Sequence, residues 1–249
     1  GLSASIISLG CGGFSRIGQS TGKSAGQSVS IVGKALENGI NLIDTAEAYG
    51  TEELVGQAIR GWPRAKIILS TKCSLYLNEK LKTGSQLEAS LEASLRRLQT
   101  DYIDIYHLHA VKLDDYEYVC QELVPAMQKM KSQGKIRFTG ITEGFASDTS
   151  HKALQRAVND DFWDVMMVGF NLLNQSARSR VIQPALDRGI AILDMFAVRR
   201  ALINPEHLAK ALHELVEAEL VDAGLVDLDA PLADIMKNSN CSSLTEFAY

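Results

Sequence analysis

Seven times along this chain a short, mainly apolar run gives way to a stretch whose apolar residues recur at helical spacing. Few architectures accept that alternation. The runs fall at residues 5–9, 42–45, 66–71, 103–109, 135–142, 164–170 and 190–196. They do not alternate apolar with polar, as expected of strands covered on both faces. Between them, Ile31, Val32, Ala35 and Leu36 share a helical stripe that Gly39 ends. Leu54, Val55, Ala58 and Ile59 share the next, with Thr51 as its expected N-cap. Leu87, Leu91, Leu95 and Leu98 follow a capping-box spacing at Ser85 and Glu88. Later stripes run through Val119, Leu123, Met127 and Met130, through residues 154–158, and through Val181, Ile182, Ala185 and Leu186. Asn204 and Pro205 start a last long helix with Leu208, Leu212 and Leu215.

That order predicts an α/β protein, either an open doubly wound sheet or a closed (β/α)8 barrel. No GxGxxG follows the first run and no phosphate-binding GxxxxGK motif occurs, which disfavours the dinucleotide-fingerprint and P-loop architectures. Regular single-strand units without a second domain favour the (β/α)8 TIM barrel, as one domain over residues 1–249. After Val221 the text reads as loop until residues 243–249 begin a helix, so the expectation is a barrel truncated before its eighth strand.

A net charge of −5 spread along the chain argues against nucleic acid as a partner. No run has the length of a membrane span, and the N-terminus lacks a signal pattern. The four cysteines, Cys11, Cys73, Cys120 and Cys241, form no CxxC spacing, and the expectation is reduced thiols in a cytoplasmic protein.

Barrel enzymes act at the C-terminal ends of their strands. The second, third and fourth runs end there in Asp44, Lys72 and His109, with Tyr49 five residues beyond the aspartate. Period-2 alternation puts Leu42 on the face of Asp44, Ser70 on that of Lys72, and Ile105 and His107 on that of His109. Singly, Asp44 fits a carboxylate satisfying its loop, Lys72 a solvated strand end and Tyr49 a packing residue. Jointly they deliver a carboxylate, an ammonium, an imidazole and a phenol to one pocket. His107 and His109 share a face, but no third ligand stands out and Lys72 opposes a cation, so no metal is expected. A phenol titrates at about 10, and a nearby ammonium favours its anion. A tyrosine acid facing a carbonyl oxygen that histidine orients is equipment for carbonyl reduction or alcohol oxidation, with hydride from a cofactor.

These residues resemble the aldo-keto reductase family. The matching text is D-x-A-x-x-Y-G at Asp44, Ala46, Tyr49 and Gly50, then EELVG at 52–56, TK at 71–72, DYIDIYHLH at 101–109, GKIRFTGIT at 134–142, FNLL at 170–173 and the strand at 189–196. The resemblance implies a (β/α)8 barrel reducing aldehydes or ketones with NAD(P)H, NADP(H) rather than NAD(H), on a small-molecule carbonyl or alcohol substrate. By carry-over Tyr49 is the general acid, Asp44 and Lys72 tune it, and His109 orients the carbonyl, with His107 as the second choice. Gly12 and Gly13 would lie along the cofactor. Thr142 and Glu143 stand where the family has Ser-Asn, Met167 where it has glutamine, and Met195-Phe196 where an aromatic stacks on nicotinamide. Arg199-Arg200 offer phosphate ligands or a solvated basic turn. Two other roles fit the same barrel: a nucleotide-binding sensor or regulatory subunit, like the potassium-channel beta subunits, and an NAD-linked sugar dehydrogenase.

Overall fold

Parallel strand pairing follows from the chain's regular return through helices. In the computed structural model, which describes residues 1–198 and 200–249, the strands are β1 (Leu9–Gly10), β2 (Leu42–Asp44), β3 (Ile68–Ser74), β4 (Tyr76–Leu77), β5 (Lys80–Leu81), β6 (Ile103–Val111), β7 (Ile136–Glu143), β8 (Val165–Gly169) and β9 (Ala191–Met195). Seven of them form one sheet in the order β1-β2-β3-β6-β7-β8-β9, and its registered pairs are parallel. Among the described residues no strand follows β9. Nor is any described helix long and apolar enough to cross a membrane.

The differences from the sequence pattern have local causes. Of residues 5–9 only Leu9 enters a strand, the two-residue β1, because the Ser5 backbone N–H goes to the Asn41 side chain (2.7 Å) and Ile6 lies fully in solvent. The β4–β5 hairpin has no counterpart in the sequence pattern. Its turn residues Asn78 and Glu79 both have positive φ (50° and 64°), as a two-residue hairpin turn requires. Helix α1 (Ala25–Glu37) is capped by Ser24 and helix α2 (Glu52–Ile59) follows Thr51. The Thr51 hydroxyl makes no cap; it pairs with Thr45 Oγ1 at 2.8 Å. Helix α3 (Gly84–Leu98) has its capping box at Thr83 and Gln86, two residues before the expected pair, since a glutamine side chain closes the box as well as glutamate does. The helix through Met127 widens into a π-turn at Val119–Leu123, just before Pro125, whose missing N–H removes an i→i−4 bond.

The residues pack as two compact units, Gly1–Val168 with Val181–Leu193, and Gly169–Arg180 with Asp194–Tyr249. In the first, Leu42, Ile68, Ile105 and Val165 form a buried cluster from four strands, joined by Leu2, Phe138 and Leu193. Leu42 lies two positions before Asp44, and Ile68, Ile105 and Phe138 lie four before Lys72, His109 and Thr142. The second unit has its own core of Leu202, Leu208 and Leu244. Its helix Pro205–Glu217 starts as expected, with Asn204 Oδ1 accepting the His207 N–H at 2.9 Å.

Candidate active site

Above the apolar cluster the same face turns polar in two steps. Asp44 pairs with Ser70 across β2 and β3, Lys72 pairs with His107, which in turn lies opposite Gly140, and His109 one step further along β6 pairs with Ser74. Lys72 Nζ lies 2.5 Å from Asp44 Oδ2 and donates to the Thr45 carbonyl at 2.9 Å. Ser70 Oγ donates to the other Asp44 oxygen at 2.7 Å. Asp44 is therefore fixed at both oxygens, and Lys72, 1% exposed, has its charge compensated where water cannot solvate it. Ser70 shares the expected face with Lys72 by its period-2 spacing, and its bond to Asp44 makes it part of the site.

Tyr49 stands over this pair. Lys72 Nζ is 5.0 Å from the centre of its ring, and the His109 ring meets it edge-on at 5.6 Å and 84°. Gly12 makes room for the phenol: a Cβ there would fall 2.5 Å from Tyr49 Cε2. The tyrosine rides on a short turn, Glu47–Tyr49, that a neighbouring carboxylate ties down. Glu47 Oε1 accepts the Ser74 backbone N–H at 2.9 Å and Lys82 Nζ at 2.8 Å. Lys82 also donates to Ser90 Oγ (2.8 Å) and Cys73 Sγ (3.2 Å), so all three of its protons are used in a buried position. Burial pushes the Glu47 carboxyl up, yet the Lys82 and Ser74 hydrogen bonds outweigh it and hold it below its ordinary value. Neither Glu47 nor Lys82 stands out in the sequence, because their pairing spans 35 residues.

Both histidines are held neutral. Burial, then Lys72, lowers His109 to about 4, with Asp44 and Glu47 acting against the shift. Burial, then Lys72 and His109, also lowers His107, whose ring packs against Gly140 where a Cβ would collide with it. His107 is directly opposite Gly140 in the β6–β7 register. His109 is thus the imidazole beside the phenol, and His107 lies one layer deeper.

On the cofactor side the sequence candidates have partners of their own. Thr142 is buried, and its Oγ1 accepts the Ala110 N–H at 2.8 Å. Glu143 is buried too, its carboxylate 2.9 Å from His151 Nδ1. Gly13 has φ 66° with open space where a Cβ would stand. Met167 is buried on β8. Met195 and Phe196 belong to the second unit, where the Met195 carbonyl accepts the Phe170 N–H at 3.3 Å and Phe196 has φ 71°. Arg200 is exposed, and Arg199 lies outside the described residues.

A family model described as the aldo/keto reductase family matches residues 8–247. L-galactose dehydrogenase of Arabidopsis thaliana is 35% identical over 148 residues, 57% of this chain and 46% of that protein. The chain spans about half the length of the curated relatives it matches. An aldo-keto reductase of Bacillus halodurans in its holo form is similar in fold, with a TM-score of 0.71 at 24% identity over 99% of this chain and 77% of that one. An aldo/keto reductase of Klebsiella pneumoniae solved with NADP and acetate reaches a TM-score of 0.64 at 26% identity, over 89% of this chain and 73% of its own. The seven parallel strands are those of this (β/α)8 barrel fold. With the match extending over almost all its length, the chain belongs to the aldo/keto reductase family.

Proposed function

We propose that this chain carries the proton-transfer machinery of an NAD(P)H-dependent oxidoreductase that interconverts an aldehyde or ketone and its alcohol. The observation that carries the reading is the buried Lys72–Asp44 pair beneath Tyr49, with a neutral His109 edge-on to the same ring. Tyr49 donates its hydroxyl proton to the substrate oxygen. The Lys72 ammonium beside the ring favours the phenolate that remains, and Asp44 keeps that ammonium in place. A neutral imidazole retains one N–H, with which His109 holds the carbonyl oxygen toward the phenol.

The glycine loop fits a nicotinamide nucleotide: Gly13 leaves its backbone open to close approach. When bound, the nicotinamide supplies the hydride. NADP(H) is the proposed form, supported by the NADP in the Klebsiella pneumoniae neighbour. We also assign both units to one barrel domain over residues 1–249, supported by the family match across them. The buried free thiols Cys11 and Cys73 support a reducing, cytoplasmic setting.

A second reading runs the same site in the oxidative direction on a sugar, favoured by the similarity to L-galactose dehydrogenase. It uses the same residues with Tyr49 as the proton acceptor.

The test is Tyr49→Phe in the full chain, assayed against a panel of aldehydes and sugars with both nucleotides. Reduction and oxidation should both disappear while nucleotide binding, followed by quenching of intrinsic fluorescence, persists. Turnover at the unmodified rate would overturn the assignment.

A further inference from the structure

Thr142 is read from the sequence as a nicotinamide ligand, but its surroundings give it a different task. The β6–β7 register pairs Leu108 with Ile141 and then Val111 with Glu143. Two residues, His109 and Ala110, therefore stand opposite one, Thr142. This is a β-bulge, a device that re-aims a side chain and leaves a backbone group outside the ladder. Here it lies at the imidazole that meets Tyr49. Ala110 bears the distortion with φ 55°, a left-handed conformation an alanine rarely adopts without something to hold it. The Thr142 side chain holds it, its Oγ1 accepting the Ala110 N–H that the bulge would orphan. Both strands are otherwise regular up to this point, and the oxygen is buried, so water does not compete for the bond.

We propose that Thr142 is a positioning residue for His109: by accepting the Ala110 N–H it locks the β6 bulge and so sets the angle at which the imidazole faces Tyr49. The requirement is for a hydroxyl acceptor at this position, which serine meets and valine, of nearly the same shape, does not. For turnover the proposal rests on the carbonyl-reductase reading, but the geometry of His109 can be followed without turnover.

The experiment compares the full chain with its Thr142→Val and Thr142→Ser variants by three measurements. In the first, the Ala110 amide of the unmodified protein should exchange with solvent slowly although it lies outside the strand ladder; rapid exchange overturns the proposal, and this holds whether or not Thr142→Val folds. In the second, the side-chain NMR signals of His109 in nucleotide-free protein should move in Thr142→Val and stay in Thr142→Ser. Unmoved signals in valine, or equal movement in both, overturn it. In the third, kcat should fall roughly ten- to hundredfold in valine, with nucleotide affinity unchanged and serine restoring the rate. Weakened nucleotide binding with intact kcat would make Thr142 a cofactor ligand and overturn the positioning role. Should no variant and no unmodified protein turn over any carbonyl, the reductase reading fails, while the exchange and NMR results still decide the role of Thr142.

Discussion

His109 sits where two opposing influences meet, burial and the Lys72 charge on one side and the Asp44 and Glu47 carboxylates on the other. The first pair wins, so the imidazole should titrate near pH 4 rather than near its ordinary 6.5. The ring then stays neutral, with a single N–H to give a substrate oxygen, down to about pH 4. Replacing Lys72 by methionine removes a positive neighbour, and the His109 midpoint should rise toward the ordinary value, as read from its ring proton shifts. A midpoint that stays near pH 4 in that variant would assign the shift to burial alone. Lys72 itself was legible from sequence, since it ends a strand next to those ending in Asp44 and His109. Ser70 was less so, because a serine one layer below a lysine is common in any strand.

At the scale of elements, the Glu47–Tyr49 turn has little packing of its own and is held by charge and hydrogen bonds. Lys82 Nζ reaches Glu47, Ser90 and Cys73 at once, joining the turn, α3 and the end of β3. Replacing Lys82 by methionine would leave the Glu47 carboxylate without its counter-charge in a largely buried place. The expected loss is about 3 kcal/mol of unfolding free energy in urea titrations. A change below about 0.5 kcal/mol would mean that the pair behaves like an exposed one. Restoring neutrality with the double change Lys82→Met and Glu47→Gln should recover part of the loss, since breaking a buried pair costs more than deleting both partners. The strands and the helix stripes that frame this turn were readable because their periodicity is local. The β4–β5 hairpin was not, as Asn78-Glu79 lacks the glycine that marks such turns.

For the molecule as a whole, the two buried histidines make stability depend on acid in a defined direction. Both fold with their midpoints lowered, so between the lowered value and 6.5 the unfolded chain binds more protons than the folded one. Their contribution is therefore complete above about pH 6.5 and is lost as pH falls toward 4. Urea midpoints measured across that window should fall with pH, and the slope should lessen in His109→Asn. A flat profile in the unmodified protein would mean that the imidazoles regain solvent in the native state. The wider architecture is resolved into two compact units, each with a buried apolar cluster. Residue periodicity could not reveal that division, because it describes which face of an element is apolar and not which elements share a core.

The sequence by itself determined the order of strands and helices, the parallel sheet, and the side chains that share a strand face. Those follow from periods of 2 and 3.6 residues, which are properties of a few consecutive peptide units. That is why strand periodicity alone brings Asp44, Lys72 and His109 together. Tertiary structure alone decided what the neighbouring polar groups do. Thr142 and Glu143 look like cofactor ligands in the text, yet Ala110 and His151 engage them. The bulge that makes Ala110 need a partner arises from strand register, and the approach of Lys82 to Glu47 from the way the segment between β5 and α3 lies over the end of β3. A buried donor or acceptor takes whatever partner the packed chain brings within about 3 Å, and no local pattern encodes that choice.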